Sequence, residues 1–204
     1  MSYEHALRDP ETLTELWERI WDELHQAVVR GKHRWHTGVF ATVEDGLPRP
    51  RTVVLRHADR EDFTLGLHTD RRAPKVAAIA LEPRIGWLFY DTNRRVQVRV
   101  DGTARVLVDG PEFERAWADT GLSSRRCYLA PHPPGDDLPT GVNLPEDFRD
   151  ADPTFAQSEA GRDNFAVVRT RVDRLEWLSL CHSGHRRAVF EPDGRGWRGR
   201  FIAA

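Results

Sequence analysis

Arg51 and Arg56 bracket the strand-like run RTVVLR, and Arg71, Arg72 and Lys75 crowd the segment HTDRRAPK at 68–75. Lysine and arginine hold oxyanions through charge-assisted hydrogen bonds, arginine in a two-pronged way. HTDRRAPK joins an extended run, FTLGL at 63–67, to an apolar helical pattern (Val76, Ala77, Ile79, Ala80, Leu81). Free backbone N–H groups at the start of that helix would point at the same place as the cations, which suits a phosphate. On a strand, Arg51, Val53 and Leu55 share a face and Arg56 takes the other. Antiparallel pairing with the next strand brings Arg51 towards the 68–75 turn. Taken alone, such a cluster is more commonly a solvated basic surface.

Two other groupings could carry chemistry. HRWH at 33–36 and CHSGH at 181–185 offer Cys181, His182 and His185 as metal ligands. No carboxylate accompanies them and the spacing matches no strong metal signature, so polar packing or substrate contact is the commoner reading. No metal site, no Cys/His nucleophile pair and no catalytic acid or base is assigned. Gln97, in RVQVRV, alternates against Val96 and Val98 and so meets either solvent or a ligand.

The chain that must position these groups has 204 residues and a net charge of −2. It is long for one domain and short for two, and is expected to fold as one domain over 1–204. The near-neutral charge argues against a general polyanion binder, and the lack of a dense aromatic–basic stripe disfavours nucleic acid. The first thirty residues have no signal-like apolar run, and no segment is long enough to span a bilayer. Two distant cysteines, Cys127 and Cys181, suit a reducing cytoplasm.

Leu13, Leu16, Trp17, Ile20, Trp21, Leu24, Ala27 and Val28 recur with helical spacing. They predict an amphipathic helix in 1–31, opened by Asp9-Pro10-Glu11, with both tryptophans packing it onto a sheet. The period then changes to two, with strands expected at 36–43, 50–57, 63–69, 85–91 and 95–108. Within the last of these, Asp101-Gly102 is either a hairpin turn or a bulge. Short helices are expected at 74–82 and from Pro111 to Gly121, and further strands near 164–173, 186–191 and 196–202. Residues 130–163 are rich in Pro, Gly and Asp and read as a long excursion. The sum is a mainly β protein: an antiparallel, Greek-key-like barrel with flanking helices.

RTVVLR (51–56), HT followed six residues later by Lys75, EPRIGWLFY (82–90) and VQVRVDGTA (96–104) together resemble the pyridoxamine 5′-phosphate oxidase family. So do LEW (175–177), HRR (185–187), the late GW and the terminal FIAA. The resemblance covers about residues 35–120 and 164–204 and looks most like a divergent branch. It implies an FMN-binding split β-barrel and a homodimer with FMN at the subunit interface. The implied activity is an FMN-dependent oxidoreductase acting on a small substrate, phosphorylated or not. A relative using the deazaflavin F420, or one that only binds flavin, is the alternative, and a nucleic-acid-binding barrel a distant third.

Carried over by position, Arg51 and Lys75 match phosphate contacts, and Thr52, Val53, Val54, Leu55 and Arg56 run along the flavin. His68 and Thr69 match a pair that holds the cofactor, and Gln97 a glutamine that hydrogen-bonds it. Trp177 and Arg187 match residues that complete the site from the other subunit. Arg56 and His185 match substrate contacts. The family's Tyr…Arg…Ser substrate set has no match around 117–128, where Arg125 or Arg126 would substitute. Ala73-Pro74 replaces a Ser-Arg pair, and Arg71 and Arg72 either restore that charge or face water.

Overall fold

The computed structural model describes residues 12–204. Helix α1 spans Leu13–Val29 and opens on Thr12, whose side chain accepts from the Glu15 N–H while the Glu15 carboxylate accepts from the Thr12 N–H. This reciprocal pair satisfies two orphan donors of the first turn; Asp9-Pro10-Glu11 lies outside the described residues. The helix buries Leu16, Ile20, Trp21, Leu24 and Ala27. Trp17 and Trp21 do pack it onto the sheet: the Trp17 ring lies 5.0 Å from Phe190 and 4.9 Å from Trp197.

Strands β1 (Thr37–Glu44) and β2 (Leu47–Val54) form a hairpin in full register. Asp45 and Gly46 turn it, with φ of 54° and 75°, the paired left-handed geometry that an Asp-Gly turn supplies. The hairpin is tighter than its sequence suggests, because Pro48 and Pro50 sit on an edge strand that needs no donor on its open side. Beyond Val54 the chain crosses between strands. The Leu55 N–H donates to His36 O and the Arg56 N–H to Gly66 O, each at 2.8 Å. The expected single strand 50–57 is therefore broken, and its end becomes β3 (His57–Asp59), paired with β4 (Thr64–Asp70).

Helix α2 (Pro74–Leu81) follows β4, with Pro at the start of the helix. Strand β5 (Arg84–Asp91) and the long β6 (Val96–Leu107) come next. Asp101-Gly102 is a bulge in β6, not a turn. A Cβ on Gly102 would lie 2.4 Å from Arg171 O, so only glycine fits where the strands close up. Helix α3 (Gly110–Asp119), the single turn α4 (Leu122–Arg125) and the turn α5 (Phe155–Ser158) precede β7 (Phe165–Ser179), β8 (Arg186–Pro192) and β9 (Trp197–Ile202). Between 130 and 163 no strand forms.

The sheet runs β2-β1-β5-β6-β7-β4-β3, with β8 and β9 added beside β7. Non-consecutive neighbours and the crossing at Leu55–Arg56 bring the sheet round on itself as a split antiparallel barrel. Phe40, Leu55, Leu65, Trp87, Phe89, Val98 and Leu175 fill it. A second core, Phe113, Trp117, Tyr128, Phe165 and Val167, lies on the outer face under α3. That second layer explains why the start of β7 buries side chains on both faces; its end runs six residues past the expected 173 because Leu175–Ser179 pair with β8. No helix among the described residues is long and apolar enough to cross a membrane.

Candidate functional site

The β4–α2 junction gathers Thr69, Lys75 and Arg51. Lys75 Nζ donates to Thr69 Oγ1 at 2.9 Å, and Thr69 is buried. Among the described residues Lys75 has no carboxylate at ion-pair distance. Burial, and then the charge of Arg51, push its pKa below the usual lysine value, with Asp70 and Glu44 opposing. Arg51 donates to Thr42 Oγ1 and Glu44 Oε1, each at 2.6 Å. Hydrogen bonds from Thr42 and Arg51 hold the Glu44 carboxyl below its ordinary range. Nothing in the residue pattern marked this buttress, although Thr42 and Glu44 share a strand face.

Arg71 and Arg72 neither join this cluster nor simply face water. Arg72 grips the buried Asp70 (Nη2 to Oδ2, 2.7 Å) and reaches Ala130 O at 2.9 Å and Pro131 O at 3.3 Å. The Arg71 N–H donates to Asn164 O at 2.7 Å, and its Nη1 to Asp163 O at 3.5 Å. The two arginines thus tie both ends of the 130–163 excursion to the end of β4.

Along β2, Thr52 is exposed, Val53 and Val54 are half-buried, and Leu55, just past the strand, is fully buried. Arg51 pairs with Phe40, which pairs with Trp87, itself opposite Val100, so Arg51 is on the core-side face. Gln97 is on the opposite face, half-buried and flanked by Tyr90 and Leu178; its amide has no hydrogen-bond partner among the described residues. Leu178 pairs in turn with Arg187, which places Gln97 and Arg187 on one rung of the outer face. Arg187 donates through Nε and Nη2 to Glu176 Oε1 at 3.0 and 2.8 Å. Glu176 is buried and also accepts from Arg174 at 3.0 Å. Trp177 points the other way, into the barrel core. One chain therefore carries two separate groups: Arg51, Thr69 and Lys75 at the barrel mouth, and Gln97 with Arg187 on the outer face.

The residues matched to substrate contacts are scattered. His185 is exposed in the turn before β8, and Arg56 is exposed beside His68. The His68 ring packs edge-on against Phe165 at 4.9 Å. Burial, then the charges of Arg56 and Arg169, lower its pKa to about 4. Arg125 is only 3% exposed and is engaged throughout. It donates to Thr120 O, Ser158 Oγ, Glu159 Oε1 and Trp117 O at 2.9, 3.2, 2.7 and 2.8 Å. Its guanidinium also stacks 4.2 Å from the Trp117 ring. That arrangement braces α3 against α5 and turns Arg125 away from solvent. His33 bonds Glu23 and His36 bonds Ala27 O; among the described residues no cluster of three His, Cys, Asp or Glu groups is placed to hold a metal.

The comparisons agree with this architecture. Residues 16–108 match the family model of the pyridoxamine 5′-phosphate oxidase FMN-binding domain. The pyridoxine/pyridoxamine 5′-phosphate oxidase of Rubrobacter xylanophilus is 26% identical over 209 residues, covering 93% of this chain and 85% of that protein. Its counterpart in Gluconobacter oxydans is 26% identical over 163 residues, 78% of each. Among solved structures, a pyridoxamine 5′-phosphate oxidase-related FMN-binding protein of Nostoc punctiforme superposes with a TM-score of 0.74 at 20% identity, over 95% of this chain and all of that one. PhzG of Burkholderia lata, in complex with tetrahydrophenazine-1-carboxylic acid, gives 0.69 at 18% identity, over 100% and 98%. The chain has the split-barrel fold of these proteins, and the resemblance read from RTVVLR, Lys75 and VQVRVDG is borne out.

Proposed function

We propose that this chain is an FMN-dependent oxidoreductase, a single split-barrel domain that works as a homodimer on a small anionic substrate. The observation that carries the reading is Lys75. It is an ammonium withdrawn from water and set beside a second cation, and among the described residues its one hydrogen-bond partner is a hydroxyl. Burying a charge that way is costly unless an anion completes it, and the FMN phosphate supplies one. Arg51, held in place by Thr42 and Glu44, keeps guanidinium N–H groups for the same phosphate.

The flavin's contribution when bound is to accept hydride at N5. The protein's residues bind and orient. Arg51, Thr69 and Lys75 take the phosphate, and the half-buried Val53 and Val54 give the ring an apolar edge. Gln97 and Arg187 face away from that mouth, so they serve a flavin held chiefly by the partner subunit. A two-fold dimer then sets the mouth of one chain against the outer face of the other. Glu176 keeps Arg187 extended along that face. His185, exposed in this chain, is available to orient substrate across the same interface.

Expression and purification test the proposal. The account expects yellow protein with about one FMN per chain, dimeric by light scattering. A colourless protein that FMN does not reconstitute would remove the flavin reading. Turnover of pyridoxamine 5′-phosphate against other small amines then decides the substrate.

A further inference from the structure

A cavity of about 450 Å³ opens on the outer face of β3, β4 and β7, where α3 overhangs them. Its floor is one rung, His57–Gly66–Arg169, continued to Arg105 on β6. Gly66 matters here because a Cβ would lie 2.5 Å from Arg169 Nη1. The glycine lets that guanidinium lie against the strand, buried, with Nη1 lacking a hydrogen-bond partner among the described residues. Glu112 on α3 pairs with both Arg169 and Arg105 and so answers part of this charge.

The cavity is also lined by groups without partners among the described residues. Arg56, just before β3, and Arg115, on α3, both line it and are exposed, and Asp119 lies one turn beyond Arg115. None of the three side chains makes an ion pair or hydrogen bond among the described residues. His68 lines the same cavity, and its contacts point to one tautomer. The hydroxyl proton of Thr120 goes to Ala116 O at 2.7 Å. Thr120 Oγ1 must then accept from His68 Nδ1, across a long 3.4 Å. This leaves His68 Nε2 as a bare acceptor. A lowered pKa, from burial and from Arg56 and Arg169, keeps that nitrogen unprotonated at neutral pH.

We infer that this cavity binds a small molecule in which an acidic group and a hydrogen-bond donor lie side by side, Arg56 and Arg115 taking the acid and His68 Nε2 with Asp119 taking the donor. The volume suits a ligand of modest size. Unpaired charges of both signs favour a dipolar ligand over a simple anion, and a neutral acceptor beside two cations favours one whose donor adjoins its acid. The inference rests on the flavin reading only for the idea that the occupant is the substrate. Arg115, Asp119 and the Gly66–Arg169 floor have no part in the proposed cofactor contacts.

Titration calorimetry on the full-length protein, with its flavin content recorded separately, tests the site. The probes are O-phosphoethanolamine and β-alanine, which pair an ammonium with a phosphate or a carboxylate, against phosphate, acetate and ethanolamine singly. At least one dipolar probe should bind about tenfold more tightly than either of its fragments, and the better of the two identifies the acid. Arg115→Gln, at an exposed position, and His68→Phe, which keeps the ring against Phe165, should each weaken that probe about tenfold. Arg115→Gln should leave flavin content unchanged. Equal affinity for a dipolar probe and its fragments overturns the inference, as does undiminished binding by Arg115→Gln. Loss of flavin with retained probe binding would count against the cofactor reading and leave the cavity standing.

Discussion

Lys75→Met keeps the aliphatic stem of the side chain and removes only its ammonium. In the flavin-free protein that ammonium has a single hydrogen bond, to Thr69, and feels the repulsion of Arg51. Losing one such bond costs about 1 kcal/mol, and relief from burying an unpaired charge offsets a similar amount. The stability of the flavin-free protein should therefore move by no more than about 1 kcal/mol in urea unfolding. With FMN present, a charge-assisted phosphate contact disappears, worth about 1.5–3 kcal/mol. Fluorescence titration should show FMN binding weakened by about 10- to 150-fold. The pairing is the diagnostic point: a nearly silent change without cofactor and a large one with it. Affinity within twofold of wild type would refute the argument, and so would a flavin-free variant destabilised by more than about 2 kcal/mol, which would make Lys75 a structural residue.

Other consequences follow from the same geometry. His68 has a folded-state pKa near 4 against an unfolded 6.5, so the folded protein binds fewer protons. Its contribution is present above pH 6.5 and is lost as pH falls towards 4, about 3 kcal/mol in all. Urea midpoints at pH 7 and 4.5 should show His68→Phe losing less stability over that interval than wild type. His57, also lowered to about 4 by burial and by Arg169, adds in the same direction. Arg125→Met should destabilise the fold by about 3 kcal/mol, because Trp117 O and Thr120 O lose a buried partner; KM per folded molecule should stay near wild type, and a selective rise in KM would restore Arg125 as a substrate contact. Arg72→Ala should speed hydrogen exchange at the Ala130 and His132 amides, which flank the two carbonyls that lose their donor, while β4 keeps its protection.

Much of this fold was legible because its strands alternate cleanly over an interior of large side chains. β5 and β6 fell close to their expected limits, and α1 announced itself by helical spacing. The misjudged boundaries have physical causes. Pro48 and Pro50 hid the start of β2, which tolerates them only as an edge strand. β3 has three residues, too few for a period to show. The end of β7 was concealed by Glu176, a charged residue buried against Arg174 on its own strand and Arg187 on β8. The site followed the same rule. Thr69 and Lys75 are joined by local strand–turn–helix geometry, whereas Arg51 comes from β2, which pairs with β1 and not with β4 as expected, and the family resemblance is what grouped it with them. Arg125 reads as one of two surface arginines. Its burial depends on Ser158 and Glu159, more than thirty residues on, at the end of an excursion with no periodic signal. The purpose of Arg71 and Arg72 was hidden likewise, since their carbonyl partners are distant in sequence.

The central claim is that the flavin site is assembled from two faces belonging to two chains. Subunit complementation tests it most directly. A variant lacking the barrel-mouth cations (Arg51→Ala, Lys75→Ala) and one lacking the outer-face pair (Gln97→Ala, Arg187→Ala) should each purify with little FMN. Co-expressed, they should recover flavin in about a quarter of sites, because half the random dimers are mixed and each mixed dimer has one intact site. No recovery in dimers shown to be mixed would contradict the account and place the whole flavin site within a single chain.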